Sequence, residues 1–183
     1  MIKKILIIFS LFFFSNAGAF YKEQIIREFK KINNLAFNFE QKIGEKEEKG
    51  SCIINYPKKI FCDYKKSNNK ILVSNGKSLV IKTDNKGSYY RYPLDQTPLN
   101  LILDKEFLIN KIIDLEERII DDNYINYTIL ENNYEINIFF SKKNFDLIGW
   151  QTLDIYQNLN ITFISNLKKN RIISQKTFDL PNP

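Results

Sequence analysis

The sequence predicts a mainly β protein in which about ten or eleven strands form one large, curled antiparallel sheet, accompanied by two or three helices. Two observations lead to this class. Apolar and polar residues alternate along most of the chain, and turn signals separate the alternating segments at short spacing. Helical spacing of apolar residues occurs only near the start and the middle of the chain. The length of 183 residues suits one domain.

The first 19 residues have the three-part layout of a secretory signal peptide. Lys3 and Lys4 supply a positive start, and an almost uninterrupted apolar run from Ile5 to Phe14 follows. Small residues then precede an expected cleavage site between Ala19 and Phe20. The run is too short to span a bilayer, although a retained membrane anchor is the alternative. We expect residues 1–19 to be a cleaved signal peptide and residues 20–183 to be a single domain.

The mature chain is expected to begin with a helix and a strand. Residues 20–34 are predicted to be helical because Ile25 and Phe29 share one face and charged residues fill the other. Alternation across residues 35–40 indicates the first strand. The charged stretch 42–49 is predicted to be a solvated connection.

Two hairpins are expected next. Residues 50–64 read as a hairpin around Tyr56-Pro57-Lys58. Residues 71–74 and 79–82 form another, in which Asn75-Gly76 is a strong turn signal because Gly tolerates positive φ.

Strands continue to the end of the chain after one helical interruption. Residues 88–92 are a further strand candidate. Thr97 and Pro98 are predicted to open a helix as its N-cap and first residue, and the helix is expected to run to Asn110. The remaining strand candidates are 112–120, 124–131, 134–141, 147–157, 159–166 and 171–178.

Cys52 and Cys62 are predicted to face each other. If the hairpin folds about Pro57, directly opposed residues have numbers that sum to 114, which these two satisfy. An oxidising compartment favours a disulfide, and two buried reduced thiols are the alternative. Neither Cys lies in a redox motif, so we expect the bridge to be structural.

Nothing in the sequence indicates catalysis. The chain has no His, which excludes His-based triads, His general bases and His metal ligands. We find no phosphate-binding glycine loop, nucleophile elbow or metal-ligand spacing, so we expect neither an enzyme nor a cofactor or metal. Carboxylate pairs such as Glu47-Glu48 are predicted to be solvated charges. The net charge of +6 can be a consequence of an AT-rich genome, because the codons for Lys are AT-rich.

The aromatic content raises the question of a cavity. Two helices have to cover a sheet of about ten strands in a chain with 15 Phe and 10 Tyr. An ordinary side-chain core is one reading, and an internal cavity for an apolar ligand is the other.

Five motifs together resemble the LolA-type outer-membrane lipoprotein carriers. Their order and spacing follow that family from the signal peptide to the end of the chain. The motifs are Phe39–Gln41, Gly50–Tyr64, Leu72–Lys77, Tyr92–Leu99 and Phe178–Pro181, the last expected to be the closing strand.

The resemblance implies a half-open antiparallel β-barrel that encloses an apolar cavity under a helical lid. It implies a periplasmic carrier that takes acylated lipoproteins from an inner-membrane ABC-type release complex to an outer-membrane lipoprotein acceptor. The absence of Cys at the expected mature N-terminus favours carrier over acceptor. We further expect a monomer with no nucleic-acid partner. The cavity is expected to be lined by Phe37, Phe39, Ile54, Tyr56, Ile60, Tyr64, Leu99, Ile102, Leu103 and Phe107.

One departure from the family concerns the lid. The family usually has Arg before the Pro of the first hairpin, in a position linked to lid closure, and this chain has Tyr56. We expect the Tyr56 ring to pack on Leu99 or Phe107, so that apolar contact mainly holds the closed state. Two other functions remain open: a periplasmic lipid sensor on the same fold, and an enzyme acting on lipids or envelope polymers.

Overall fold

The computed structural model describes residues 17–65, 69–84, 87–153 and 157–182. Its α-helices are α1 (Ala17–Lys30), α2 (Leu99–Ile102) and α3 (Lys105–Asp114), and short 3₁₀ turns occupy Leu94–Gln96 and Gln175–Phe178. The strands are β1 (Asn34–Ile43), β2 (Lys46–Asn55), β3 (Lys59–Lys65), β4 (Ile71–Asn75), β5 (Ser78–Lys82), β6 (Tyr89–Pro93), β7 (Arg118–Ile120), β8 (Tyr124–Glu131), β9 (Tyr134–Ser141), β10 (Leu147–Leu153) and β11 (Leu159–Lys169).

All eleven strands belong to one antiparallel sheet, in the order β6-β5-β4-β3-β2-β1-β11-β10-β9-β8-β7. Every neighbouring pair is consecutive in the chain except β1 and β11, which join the two halves of the sheet. Within the described residues β6 and β7 are the edges, so the sheet curls without closing. The predicted fold class, a half-open β-barrel with helices, is confirmed.

Alternation along the strands builds the concave face. On β2 and β3 the residues Cys52, Ile54, Ile60 and Cys62 are buried, and their neighbours along each strand are more exposed. The register pairs Cys52 with Cys62, as the predicted hairpin requires.

Helix α1 closes one end of the curled sheet. Ile25 and Phe29 are spaced four apart, so they lie on one helical face, and both are fully buried. The Phe29 ring meets the rings of Tyr56 and Phe140 edge-on, at centroid distances of 5.8 and 5.9 Å. This aromatic cluster fills the end of the half-barrel at which β1 begins.

The predicted solvated connection at 42–49 is wrong. Strand β1 continues to Ile43, a tight turn follows, and β2 begins at Lys46. The two strands pair along their whole length, with Asn34 opposite Asn55 at one end and Ile43 opposite Lys46 at the other. The charged residues of this stretch therefore alternate between the two faces of the sheet, like the rest of the hairpin. Glu48 therefore points to the concave face and is buried.

The single helix predicted over 97–110, followed by a strand at 112–120, is also wrong. Thr97 donates its hydroxyl to the Leu94 carbonyl instead of capping a helix. Helix α2 ends at Ile102, and a new N-cap, Asp104, accepts a hydrogen bond from the Phe107 backbone and starts α3. Helix α3 runs to Asp114, so only Arg118–Ile120 of the predicted strand is extended.

Neither the strand predicted at 171–178 nor the closing strand expected at Phe178–Pro181 forms. Asn170 has a φ of +52° and ends β11, and its side chain bonds Asn33 N and Lys31 O. The following segment packs as a 3₁₀ turn that buries Phe178 beside β3 and β4.

Two predicted segments extend beyond the described residues. Residues 154–156 of the predicted strand 147–157 lie outside them, as do residues 1–16 of the predicted signal peptide. The expected cleavage point before Phe20 falls within α1. Across the described residues we find no helix with the length and apolarity needed to cross a membrane.

Candidate functional site

A cavity of about 190 Å³ lies between the concave face of the sheet and helix α2. Its wall crosses the sheet from β5 to β10, and α2 with the preceding Thr97 and Pro98 covers it. The apolar part of the wall is formed mainly by Ile60, Leu72, Leu79, Leu99, Ile102 and Trp150. The site is therefore a mostly apolar space enclosed by a sheet and a short helix.

The disulfide between Cys52 and Cys62 forms part of this wall and joins β2 to β3 directly across the pair. Next to it, the Phe39 ring lies over Gly50, where an added Cβ would come within 2.6 Å of the ring and 2.1 Å of the Asp63 carbonyl oxygen. Gly50 is thus required because no other residue leaves room for Phe39 to form the wall.

The opposite part of the wall is polar. Gln41 on β1 donates its amide to Asn160 Oδ1 and Thr162 Oγ1, at 3.0 and 3.2 Å, and accepts from the Tyr64 hydroxyl at 3.4 Å. Thr152 on β10 lines the same region. The cavity is therefore amphipathic. Its hydrogen-bonding side chains lie mainly on β1, β10 and β11, beside Phe39 and Trp150, and the side chains from β4, β5 and α2 are apolar.

Glu48 adds a paired charge at the edge of this polar region. Only 3% of its side chain is exposed, and Lys46 Nζ and Lys70 Nζ each lie 2.7 Å from one of its oxygens. Burial by itself raises the pKa of Glu48, but the hydrogen bonds from the two lysines outweigh burial and hold the pKa below its ordinary value. Lys70 Nζ also lies 4.0 Å from the centroid of the Tyr64 ring.

Lys58 fastens the covering segment to the sheet. Its backbone N–H donates to the Leu103 carbonyl at 2.9 Å, and its Nζ donates to Asn100 Oδ1 at 3.1 Å. The same Nζ lies 3.4 Å from an Asp104 carboxylate oxygen. The Lys58 carbonyl in turn accepts from the Ser74 hydroxyl on β4. We call these contacts from Lys58 to the α2–α3 junction the Lys58 clamp.

Tyr56 packs against helix α1. Its ring meets Phe29 of α1 edge-on, and among the described residues no ring-to-ring contact with Phe107 is found, whereas the expected packing on Leu99 stays a prediction. Its hydroxyl is buried without a hydrogen-bond partner in the described part of the chain, and burial raises the pKa of the hydroxyl. Lys58 adds polar contacts to the covering segment, beside the apolar contacts that are expected to hold it.

The predicted cavity residues fall into two groups. Those that line the cavity are Phe39, Ile60, Tyr64, Leu99 and Ile102. The others belong to the core around it: Phe37, Ile54 and Leu103 are buried, and Tyr56 and Phe107 are partly buried against it.

The sequence reasoning missed the polar wall. Gln41 follows Phe39 by two residues, so strict alternation along β1 is a signal that it shares the concave face. Asn160 and Thr162 carry no such signal, because their place beside Gln41 depends on the pairing of β1 with β11.

A larger depression of about 460 Å³ lies mainly on the opposite face of the sheet, bordered by Tyr124, Phe139, Ile148 and Phe163. The Phe163 side chain there is largely exposed. Since the depression is bordered only by β10, β11, β9 and the β7–β8 hairpin, it lacks the cover that α2 provides to the inner cavity.

The chain matches one protein-family model and is similar in fold to several solved structures. The family model described as "Outer membrane lipoprotein carrier protein LolA" matches residues 30–181. A solved structure of an uncharacterized conserved protein from Thermus thermophilus is similar at a TM-score of 0.53, with 10% identity over 87% of this chain and 93% of that one. MucB is similar at a TM-score of 0.51, with 9% identity over 91% of this chain and 64% of its own length.

A LolA superfamily protein from Nitrosomonas europaea aligns at a TM-score of 0.46, with 10% identity over 89% of this chain and 97% of that one. At these identities the structural likenesses concern the fold alone. No curated protein sequence is significantly similar to the chain.

Proposed function

The chain belongs to the LolA family of outer membrane lipoprotein carrier proteins, and from that premise we propose that it shields the acyl chains of lipoproteins and carries them through the periplasm. The observation that carries the proposal is the mainly apolar cavity between the concave face and α2. Transfer breaks no covalent bond, so the task requires an apolar surface and no reactive group.

The physical need for a carrier follows from the cost of exposing hydrocarbon to water. Each CH₂ costs roughly 0.8 kcal/mol, so a long acyl chain costs on the order of 10 kcal/mol. An acylated protein therefore leaves a membrane only if another surface covers its chains. Ile60, Leu72, Leu79 and Leu99 offer such a surface.

The cavity has to enlarge to hold an acyl chain. Its volume of about 190 Å³ is below the roughly 300–1,000 Å³ of ordinary ligand pockets. Helix α2 has only four residues, and the Lys58 clamp fastens the adjoining junction from one side. We propose that α2 moves outward when an acyl chain enters and that the sheet stays in place.

The proposed route begins at an inner-membrane ABC-type release complex and ends at an outer-membrane acceptor lipoprotein. It requires export, so we propose that residues 1–19 are removed and that the mature domain is residues 20–183. The lipid sensor on the same fold remains the second candidate, and the likeness to MucB concerns its fold only.

A pair of variants on β4 tests the cavity. Leu72 lines the cavity and Ile71 faces the other side of the sheet, and both are partly buried. Leu72→Asp places a charge in the apolar wall, so we expect it to lower the affinity for a fluorescent acyl probe by about tenfold or more. Ile71→Asp is the matched control and should bind like the wild type.

The two functions differ in what the protein retains. Purification from a periplasmic extract followed by mass spectrometry should recover acylated lipoproteins if the protein is a carrier. Recovery of free lipid alone would favour the sensor. Equal probe affinity in folded Leu72→Asp and Ile71→Asp proteins would mean that acyl chains bind elsewhere.

A further inference from the structure

The polar side chains of the cavity form a continuous band across four neighbouring strands. The strand register places Asn160 of β11 beside Thr152 of β10, and places Thr162 of β11 beside Gln41 of β1. Gln41 in turn pairs with Glu48 of β2. The band crosses a face whose other positions are mainly apolar, such as Phe39 and Trp150.

Burial distinguishes this band from an ordinary solvated rim. Thr162 is 3% exposed, Thr152 is 6% exposed and Glu48 is 4% exposed. A polar group removed from water without a partner costs free energy, so buried hydroxyls in a cavity wall need hydrogen bonds to something. The described residues supply only some of these bonds.

The band can still donate a hydrogen bond, and the group that donates it is an uncharged hydroxyl. Thr162 accepts from Gln41, and among the described residues its own hydroxyl hydrogen is given no acceptor. The nearest charges are already paired, because Lys70 bonds the Glu48 carboxylate and lies against the Tyr64 ring. The unused hydroxyl hydrogen in the band is uncharged, so it suits an uncharged acceptor such as a carbonyl oxygen.

We propose that this band is a subsite for the ester or amide carbonyls that join an acyl chain to the rest of its molecule. The chain itself lies on Leu72, Leu79 and Leu99, and the carbonyl bonds Thr162 and Thr152 on the opposite wall. The inference rests on the proposed function, because it requires that an acyl chain enter the cavity. It adds that the protein recognises the linkage and not only the hydrocarbon.

The test compares two ligands that differ in the carbonyl. 1-Monododecanoylglycerol has an ester, and 1-O-dodecylglycerol has the same chain on an ether. Displacement of a fluorescent acyl probe should show tighter binding of the ester by about fivefold, the worth of one net hydrogen bond. Thr162→Val should remove this preference by weakening the ester about fivefold and leaving the ether within about twofold.

Controls separate the subsite from effects on folding. Thr128→Val changes an exposed Thr on β8, where it bonds Asn137 away from the cavity, and should preserve the preference. Thr152→Val should reduce it independently of Thr162. Melting temperatures of all three variants within a few degrees of the wild type establish that they are folded.

The remaining outcomes are decisive. Equal affinity of the wild type for ester and ether overturns the subsite and leaves the proposed function intact, whereas failure of both to bind overturns the proposed function and the subsite together. Dodecanoate binding more tightly than the ester also overturns the inference, because Lys70 would then be receiving an anion.

Discussion

Glu48 illustrates how a charged residue becomes part of a sheet interior. Its side chain points to the concave face because β1 and β2 continue as a regular hairpin on either side of it. Lys46 and Lys70 neutralise it, and their side chains are 67% and 17% exposed. An ion pair of this kind is stable because each partner keeps either a counterion or solvent.

The Glu48 ion pairs are expected to make stability depend on pH. Because the folded state lowers the pKa of Glu48, the ionised carboxylate stabilises the fold above the unfolded pKa of about 4.3, and this contribution is lost as pH falls through the folded pKa. Glu48→Gln should lower the free energy of unfolding by about 1–2 kcal/mol at pH 7. Urea unfolding at pH 7 and pH 3 measures this.

The same measurement has an internal control. Glu47 is the exposed neighbour on the other face of β2, so Glu47→Gln should change stability little at either pH. The difference between wild type and Glu48→Gln should be smaller at pH 3 than at pH 7. A difference that persists undiminished at low pH would show that ionisation of Glu48 is not its source.

The α2–α3 junction is the element whose movement the proposed function needs. Asp104 caps α3 and also faces Lys58, and Lys105 donates to the backbone carbonyls of Lys30 and Ile32 at the end of α1. The junction is therefore fastened by polar contacts on two sides. Such contacts break and re-form more easily than interdigitated core packing, since water replaces them.

Removing the Lys58 side-chain contacts should ease opening. Lys58→Met keeps the backbone bond to Leu103 but loses the bond to Asn100 and the ion pair with Asp104, both partly exposed, at a cost of about 1 kcal/mol. We expect about fivefold faster uptake of an acyl probe in stopped-flow fluorescence. Lys59→Met removes a neighbouring lysine that bonds Gln175 instead, and it should leave uptake unchanged.

Unchanged uptake in Lys58→Met would mean that other contacts hold the junction in place. If uptake in Lys58→Met equals the wild-type rate while the protein stays folded, the Lys105 contacts or the apolar contacts of α2 hold the junction. Hydrogen exchange of the amides from Leu99 to Lys105 would then remain as slow in the variant as in the wild type.

For the whole molecule, the disulfide acts mainly through the unfolded chain. Cys52 and Cys62 are ten residues apart, and closing this loop removes conformations that the unfolded chain would otherwise adopt. The bridge also holds together β2 and β3, which both contribute to the cavity wall. The bridge thus fixes the register of β2 against β3, which the proposed movement of α2 requires to stay in place.

Removing the disulfide should destabilise the whole fold. The double variant Cys52→Ala with Cys62→Ala is expected to lose about 2–3 kcal/mol of unfolding free energy, which corresponds to a melting temperature lower by about 4–12 °C. Wild-type protein with reductant should resemble the variant in calorimetry. Two thiols that react with an alkylating agent in denaturant without reductant would show that the bridge does not form in solution.

The sequence alone determined part of the local structure of the protein. Alternation and turn residues predict the β8–β9 hairpin with the bounds it has, and they place Cys52 opposite Cys62. Both features depend on residues close together in the chain, for which side-chain periodicity and turn geometry are sufficient. The concave face of β2 and β3 followed from the same pattern.

The tertiary structure alone decided the character of the site. Gln41 meets Asn160 and Thr162 only because β1 pairs with β11, more than a hundred residues later in the chain. Lys58 reaches Asp104 only because α2 folds back over the hairpin formed by β2 and β3. No local pattern encodes these contacts, since they depend on how a curled sheet brings distant strands and a short helix together.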